Sequence, residues 1–369
     1  MPSSRFLLRG LLAALPLLAG LAPAAALASD PAGRLYRAYE DPARSHWSGT
    51  GARPLVVTVW YPAAAGSEEQ DWSLGVFRFG RSALDSPFAD AARRPLVVLS
   101  HGTGGAAAQL AWLAAALVRA GYVVAAPNHH GNTGAEAERW PAGFVLPGER
   151  ARDIPVLIDR LLADPQLGPH IDAGRIGLAG FSIGGYTVLA AAGAHLPVAE
   201  RDARCRRQAD NPVCVLPPEA GFSEADVREL ARTDAPFQAA LARDAQPLRD
   251  ARIRAVYAMA PAFVSLAGPE HLAGVQVPVR FALAAHDAQI VLDGTRQAIA
   301  AGLPQASVQV LPQAGHYSFL AECDARGAEV LPELCSEPGT MSCAQLHRQV
   351  EADAVAFFQA HLQPPVAGD

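Results

Sequence analysis

Residues 177 to 185, Gly-Leu-Ala-Gly-Phe-Ser-Ile-Gly-Gly, restrict the fold of this chain more than any other stretch. They end an apolar run over 175–180 that reads as a strand and open an Ala/Leu-rich run over 185–194 that reads as a helix. Within them, Gly180-Phe181-Ser182-Ile183-Gly184 fits G-x-S-x-G, a strand-to-helix turn tight enough to strain the serine at its tip. Side chains two residues before and after that serine would collide, and glycine removes them. A chain obliged to make this turn needs a buried strand before it and a helix after it. The competing reading is a Gly-rich turn without chemistry, so the surroundings decide.

The surroundings repeat the alternation. Apolar runs at 54–62, 95–101 and 121–127 read as strands, with helical spacing between them at 107–120 and after them at 150–162, where Pro155 is expected in or near the first turn. Residues 66–93 are mixed and read as loop. The pattern breaks at about 195–250, a stretch rich in Arg, Asp and Pro that reads as a lid-like insertion with short helices such as 223–232. Strands resume at 253–260, 277–284 and 308–311, and 345–361 reads as a final amphipathic helix. This order predicts an α/β fold with a mostly parallel central sheet and helices on both faces.

Residues 1–28 read as a secretory signal peptide: Arg5 and Arg9 precede the apolar stretch 11–21, and Ala26-Leu27-Ala28 offers a cleavage site. Pro16 and Pro23 argue against a retained spanning helix, so residues 29–369 are expected as one exported domain, periplasmic or secreted, with no stable membrane span. The five cysteines fit export, with close spacing favouring Cys205–Cys214 and Cys323–Cys335 and leaving Cys343 over. Other pairings stay open. No Cys-x-x-Cys or paired-His spacing supports zinc. The net charge of −6, without a basic block, argues against nucleic acid as a partner. Oligomeric state is not legible.

A serine hydroxyl needs a base within hydrogen-bond reach, and in a strand-elbow sheet the order is nucleophile, acid, base. His316, in Gly315-His316-Tyr317 directly after the last strand, is the expected base; His195, His347 and His361 lie on helices. Asp287, at the end of a predicted strand, is the expected acid, and Asp293 is the runner-up, better placed to begin the following helix. Two N–H donors should face the developing oxyanion. Ile183 follows the serine, and Thr103 lies in the Gly-rich Ser100-His101-Gly102-Thr103-Gly104-Gly105, where His101 is expected to organise the loop. Gly102-x-Gly104-x-x-Ala107 also fits a dinucleotide fingerprint, but the next strand ends in Asn128, His129 and His130 rather than an acid. No Gly-Lys-Ser/Thr phosphate loop occurs, and no cofactor or metal is expected.

With these segments assembled, the chain resembles the α/β-hydrolase superfamily, and within it the bacterial predicted dienelactone hydrolases related to platelet-activating-factor acetylhydrolases. The matching segments include Val59-Trp60-Tyr61-Pro62, Gly121 to Pro127, Ala260-Pro261-Ala262 and Gly315-His316-Tyr317, besides the serine elbow and the 100–105 loop. The resemblance implies Ser182 as nucleophile, Asp287 as acid and His316 as base. True dienelactone hydrolases use cysteine where this chain has Ser182, so that substrate is not implied. Asn128 stands where many relatives carry Asp. The expectation is an exported hydrolase of small carboxylic esters working through an acyl-enzyme. A lactonase, acyltransferase or polyester-cleaving enzyme with the same triad, or a non-catalytic binding protein on this scaffold, are the alternatives.

Overall fold

The computed structural model describes residues 31–216, 220–336 and 338–362; the signal-peptide expectation for 1–28 lies outside them. Eleven strands form one mixed sheet: β1 (Ala32–Ser45), β2 (Ala52–Pro62), β3 (Gln70–Leu74), β4 (Phe77–Leu84), β5 (Arg94–Ser100), β6 (Val123–Asn128), β7 (Ile171–Phe181), β8 (Ile253–Met259), β9 (Val279–His286), β10 (Ser307–Gly315) and β11 (Glu322–Cys323). Their order is β10-β9-β8-β7-β5-β6-β2-β1-β4-β11, with β3 paired to β4. The half from β6 to β10 is parallel throughout, as the strand–helix alternation requires.

The parallel strands read as continuous apolar runs because both faces are covered. Leu96 and Val98 of β5 point into one layer with Ile154, Leu157 and Ile158 of the helix Pro147–Ala163 and Val188 of the helix Ile183–Ala191. Val97 and Leu99 point into the other with Leu113 and Leu117 of the helix Ala111–Arg119 and Val350 and Phe358 of the helix Cys343–Leu362. Pro155 lies inside the helix Pro147–Ala163 rather than in its first turn, because the helix begins at Pro147.

The other half corrects the sequence reading. β2 runs antiparallel to β6 and pairs with β1, a strand whose many polar residues hid it. Residues 66–93 are not only loop, since β3 and β4 make a hairpin there, turning at Gly75 (φ 60°). Most of β3 is exposed, so it has no apolar run, yet Trp72 packs on Phe79 at 4.9 Å.

Among its described residues, the stretch at 195–250 adds no strand. It contributes the helices Val198–Arg207, Glu224–Thr233 and Ala235–Arg243, the last two capped by Ser223 and Asp234 respectively. The cysteines bridge as Cys205–Cys214 and Cys323–Cys335, and Cys343 lies outside both bridges, its Sγ 3.3 Å from His347 Nε2. Two disulfides fit an oxidising compartment. No helix among the described residues is long and apolar enough to cross a membrane.

Candidate active site

The sheet order itself locates the site. From β5 the chain crosses to β6 on one side, returns past β5 to β7, and continues outward through β8, β9 and β10. Connections therefore diverge from β5 and β7, a switch point of the kind beyond whose strand C-termini open α/β sheets bind their ligands. The Gly-rich loop leaves β5 there, and Ser182 leaves β7.

Ser182 has φ 56° and ψ −121°, a region that non-glycine residues avoid. A Cβ at Gly180 would strike the Gly184 carbonyl, and one at Gly184 would strike that of Ser100, so only glycine closes the elbow. The end of β8 holds the strain in place. Ser182 N–H donates to Met259 O at 2.9 Å, and Ala262 N–H donates to Ser182 O at 3.0 Å. The role of Ala260-Pro261-Ala262 is thus to clamp the elbow's backbone, which sequence spacing did not reveal.

Three of the expected side chains meet in one line. His316 Nε2 lies 3.0 Å from Ser182 Oγ, and His316 Nδ1 lies 2.9 Å from Asp287 Oδ2. An ionised carboxylate only accepts, so Nδ1 carries the proton and Nε2 is left to accept from the serine. Asp287 is itself held: its Oδ1 accepts from the N–H groups of Gln289 and Ile290, each at 2.8 Å. His316 reaches the serine because β10 breaks register between Leu311 and Gly315 before the short helix His316–Phe319. Phe181 packs against its ring at 4.9 Å. Asp293 sits in the first turn of the helix Leu292–Gly302, exposed, with Arg296 at 3.9 Å, and takes no part in this line.

Ile183 begins the helix after the serine, where the first N–H groups have no acceptor within the helix and the macrodipole is positive. Thr103 occupies the first corner of a turn closed by Gly105 N–H to Gly102 O at 3.2 Å. Such a turn uses neither central N–H, and that of Gly104 is taken by Asn132 Oδ1 at 2.6 Å. A Cβ on Gly102 would lie 3.6 Å from Ser182 Cβ, so this turn runs alongside the serine. His101 organises the loop as expected: its ring Nδ1 lies 2.8 Å from Gly102 O. Asn128 accepts the Ala107 N–H at 2.9 Å, fixing the start of the helix that follows the loop.

One apolar cluster borders the serine elbow, and a cleft lies beyond the Gly-rich loop. Ile183, Ala262 and Ile290 form an apolar cluster to which the insertion adds Val213, beside the Cys205–Cys214 bridge. A cleft of about 500 Å³, lined among others by Glu136, Arg139, Pro141 and Phe222, adjoins the Gly-rich loop through Gly134, whose N–H donates to Gly105 O.

A mixed sheet in this order, with helices on both faces and a glycine elbow at the switch point, is the α/β-hydrolase fold. No protein-family model matches the chain, and no curated protein matches it in sequence. Among solved structures, a ferulic acid esterase from Streptomyces cinnamoneus is similar over 95% of both chains, at 22% identity and a TM-score of 0.60. A puromycin-hydrolysing peptidase from Mycobacterium tuberculosis aligns over 90% of this chain and 40% of its own, at 13% identity and 0.49. A Klebsiella pneumoniae protein assigned as a dienelactone hydrolase aligns over 88% and 98%, at 15% identity and 0.45. Of these three, the first bears on the fold, and it agrees with it.

Proposed function

We propose that this protein is an exported, cofactor-independent serine hydrolase that cleaves carboxylic esters of small molecules. The observation that carries the reading is the hydrogen-bonded line Ser182–His316–Asp287, set at a strained elbow. Ser182 Oγ attacks the ester carbonyl as His316 Nε2 takes its proton, and Asp287 stabilises the imidazolium that forms. The N–H groups of Ile183 and Thr103 receive the oxyanion. The tetrahedral centre collapses with cleavage of its bond to the alcohol oxygen, which leaves with the proton returned by His316. Water repeats the sequence on the acyl-serine, releasing the acid and restoring Ser182.

Residues 195–250 act as the lid in this reading, supported by Val213 packing against the cluster of Ile183, Ala262 and Ile290. Export accords with the N-terminal segment and the two disulfides. The test is hydrolysis of p-nitrophenyl esters graded by acyl length, with methyl ferulate included because the structural neighbour is named for ferulic acid. Activity absent from Ser182→Ala supports the reading; equal rates for the two proteins overturn it.

A further inference from the structure

A second Ser–His–Asp line lies beneath the first. Ser100 Oγ is 2.9 Å from His129 Nε2, and His129 Nδ1 is 2.9 Å from Asp153 Oδ2. All three residues are 0% exposed, so no substrate reaches them. The chemistry of the line is nonetheless definite. Asp153 is ionised, since it accepts from Arg53 Nε at 2.8 Å, Arg53 Nη2 at 3.1 Å and Arg44 Nη2 at 2.6 Å. Burial alone would raise its carboxyl, but the two guanidinium groups hold it well below the usual range. Burial, reinforced by Arg150, keeps His129 neutral. Its Nδ1–H therefore points at Asp153, and its bare Nε2 fixes the Ser100 hydroxyl as a donor.

What the line holds is the start of the Gly-rich loop. Ser100 ends β5 and pairs with Gly180 of the elbow strand. His129 N–H donates to His101 Nε2 at 3.1 Å, while His101 Nδ1–H donates to Gly102 O at 2.8 Å. Arg150 Nη2 donates to His101 O. Residues 100, 101 and 102 are thus each tied by a side-chain hydrogen bond, and Gly104 is tied by Asn132. Thr103 is the residue suspended between these anchors. A buried ion cluster seldom improves on apolar packing for stability alone, and its better-attested use is to specify one arrangement.

We propose that Ser100, His129 and Asp153 are positioning residues that set the Thr103 N–H for the oxyanion formed at Ser182. The proposal rests on the esterase reading above. It predicts a defect confined to the transition state, because a displaced oxyanion donor weakens the tetrahedral intermediate and leaves ground-state binding alone. The test uses Ser100→Ala and Ser100→Thr in the full chain. Ser100→Ala should lower kcat on a p-nitrophenyl ester about 10-fold with KM within about twofold, a smaller effect than loss of a whole oxyanion donor. The rate at which a fluorophosphonate modifies Ser182 should fall in parallel, and Ser100→Thr, which keeps the hydroxyl, should recover most of the rate.

If Ser100→Ala lowers Tm while the folded fraction keeps its kcat, or if KM rises with kcat unchanged, the line is structural only and the proposal is wrong. Should Ser100→Ala not fold, Ser100→Cys weakens the same hydrogen bond at similar volume and is read in the same way. An active wild type whose Ser182→Ala variant is inactive separates these outcomes from failure of the esterase reading. A wild type inactive on every ester overturns both.

Discussion

Two Ser–His–Asp lines among the described residues have the same spacing, and they differ in everything else. Ser182, His316 and Asp287 are joined at 3.0 and 2.9 Å; Ser100, His129 and Asp153 are joined at 2.9 and 2.9 Å. Distances alone do not separate them. Ser182 is partly exposed, sits at φ 56°, and is followed by a helix N-terminus, whereas Ser100 ends a regular strand and is 0% exposed. The outer acid is steadied by two backbone N–H groups and the inner one by two arginines. In the proposed reading, access, a strained perch and donors for the oxyanion are what set the nucleophile apart from the buried serine. Without these the same three residues make a brace.

The largest expected effect falls on the outer line. Ser182→Ala should reduce kcat about 10⁴-fold or more with little change in Tm, since the side chain is small and half-buried. Asp287→Asn should cost about 10³- to 10⁴-fold in kcat by holding His316 in the wrong tautomer, with KM nearly unchanged. Within the inner line the acid, which alone carries the buried ion pairs, should also respond in stability. Asp153→Ala leaves Arg44 and Arg53 buried without their shared carboxylate and should destabilise by about 3–5 kcal/mol, read from urea unfolding. Were Asp153→Ala to leave the unfolding midpoint untouched, the contrast between the two lines would lose its basis.

A smaller effect concerns pH. Burial, then the Arg150 charge, pushes His129 down to about 3, and burial pushes His347 down to about 4. In the unfolded chain each binds a proton near the ordinary value of about 6.5. The unfolded state therefore takes up more protons as pH falls below about 6.5, and the fold loses stability progressively towards pH 4, by about 2 kcal/mol per histidine at pH 5. Unfolding midpoints at pH 7 and pH 5 measure this, and His347→Gln should flatten the slope. A fold equally stable at both values would contradict the neutral inner histidine.

The parallel half and the outer line were legible in the sequence because their signals are local. Strands buried on both faces are uninterrupted apolar runs, and an elbow that only glycine can close leaves glycine at fixed spacing. His316 and Asp287 were found by their place after such runs. Of the antiparallel half only β2 was legible, at 54–62; β1 carries Arg34, Arg37, Glu40 and Asp41 among its apolar residues and β3 is mostly exposed. The inner line was invisible for a different reason. Ser100, His129 and Asp153 come from a strand end, the loop after another strand, and a helix, and nothing local marks them as neighbours. His101 and Asn128 drew notice, yet their partners were supplied only by the fold.

The most direct measurement is the site of covalent modification by a fluorophosphonate, located by peptide mass spectrometry. The account predicts one adduct per folded chain, on the peptide carrying Ser182, none on Ser100, and none on Ser182→Ala. An adduct that persists in Ser182→Ala, or folded wild-type protein that takes up no label, would contradict it.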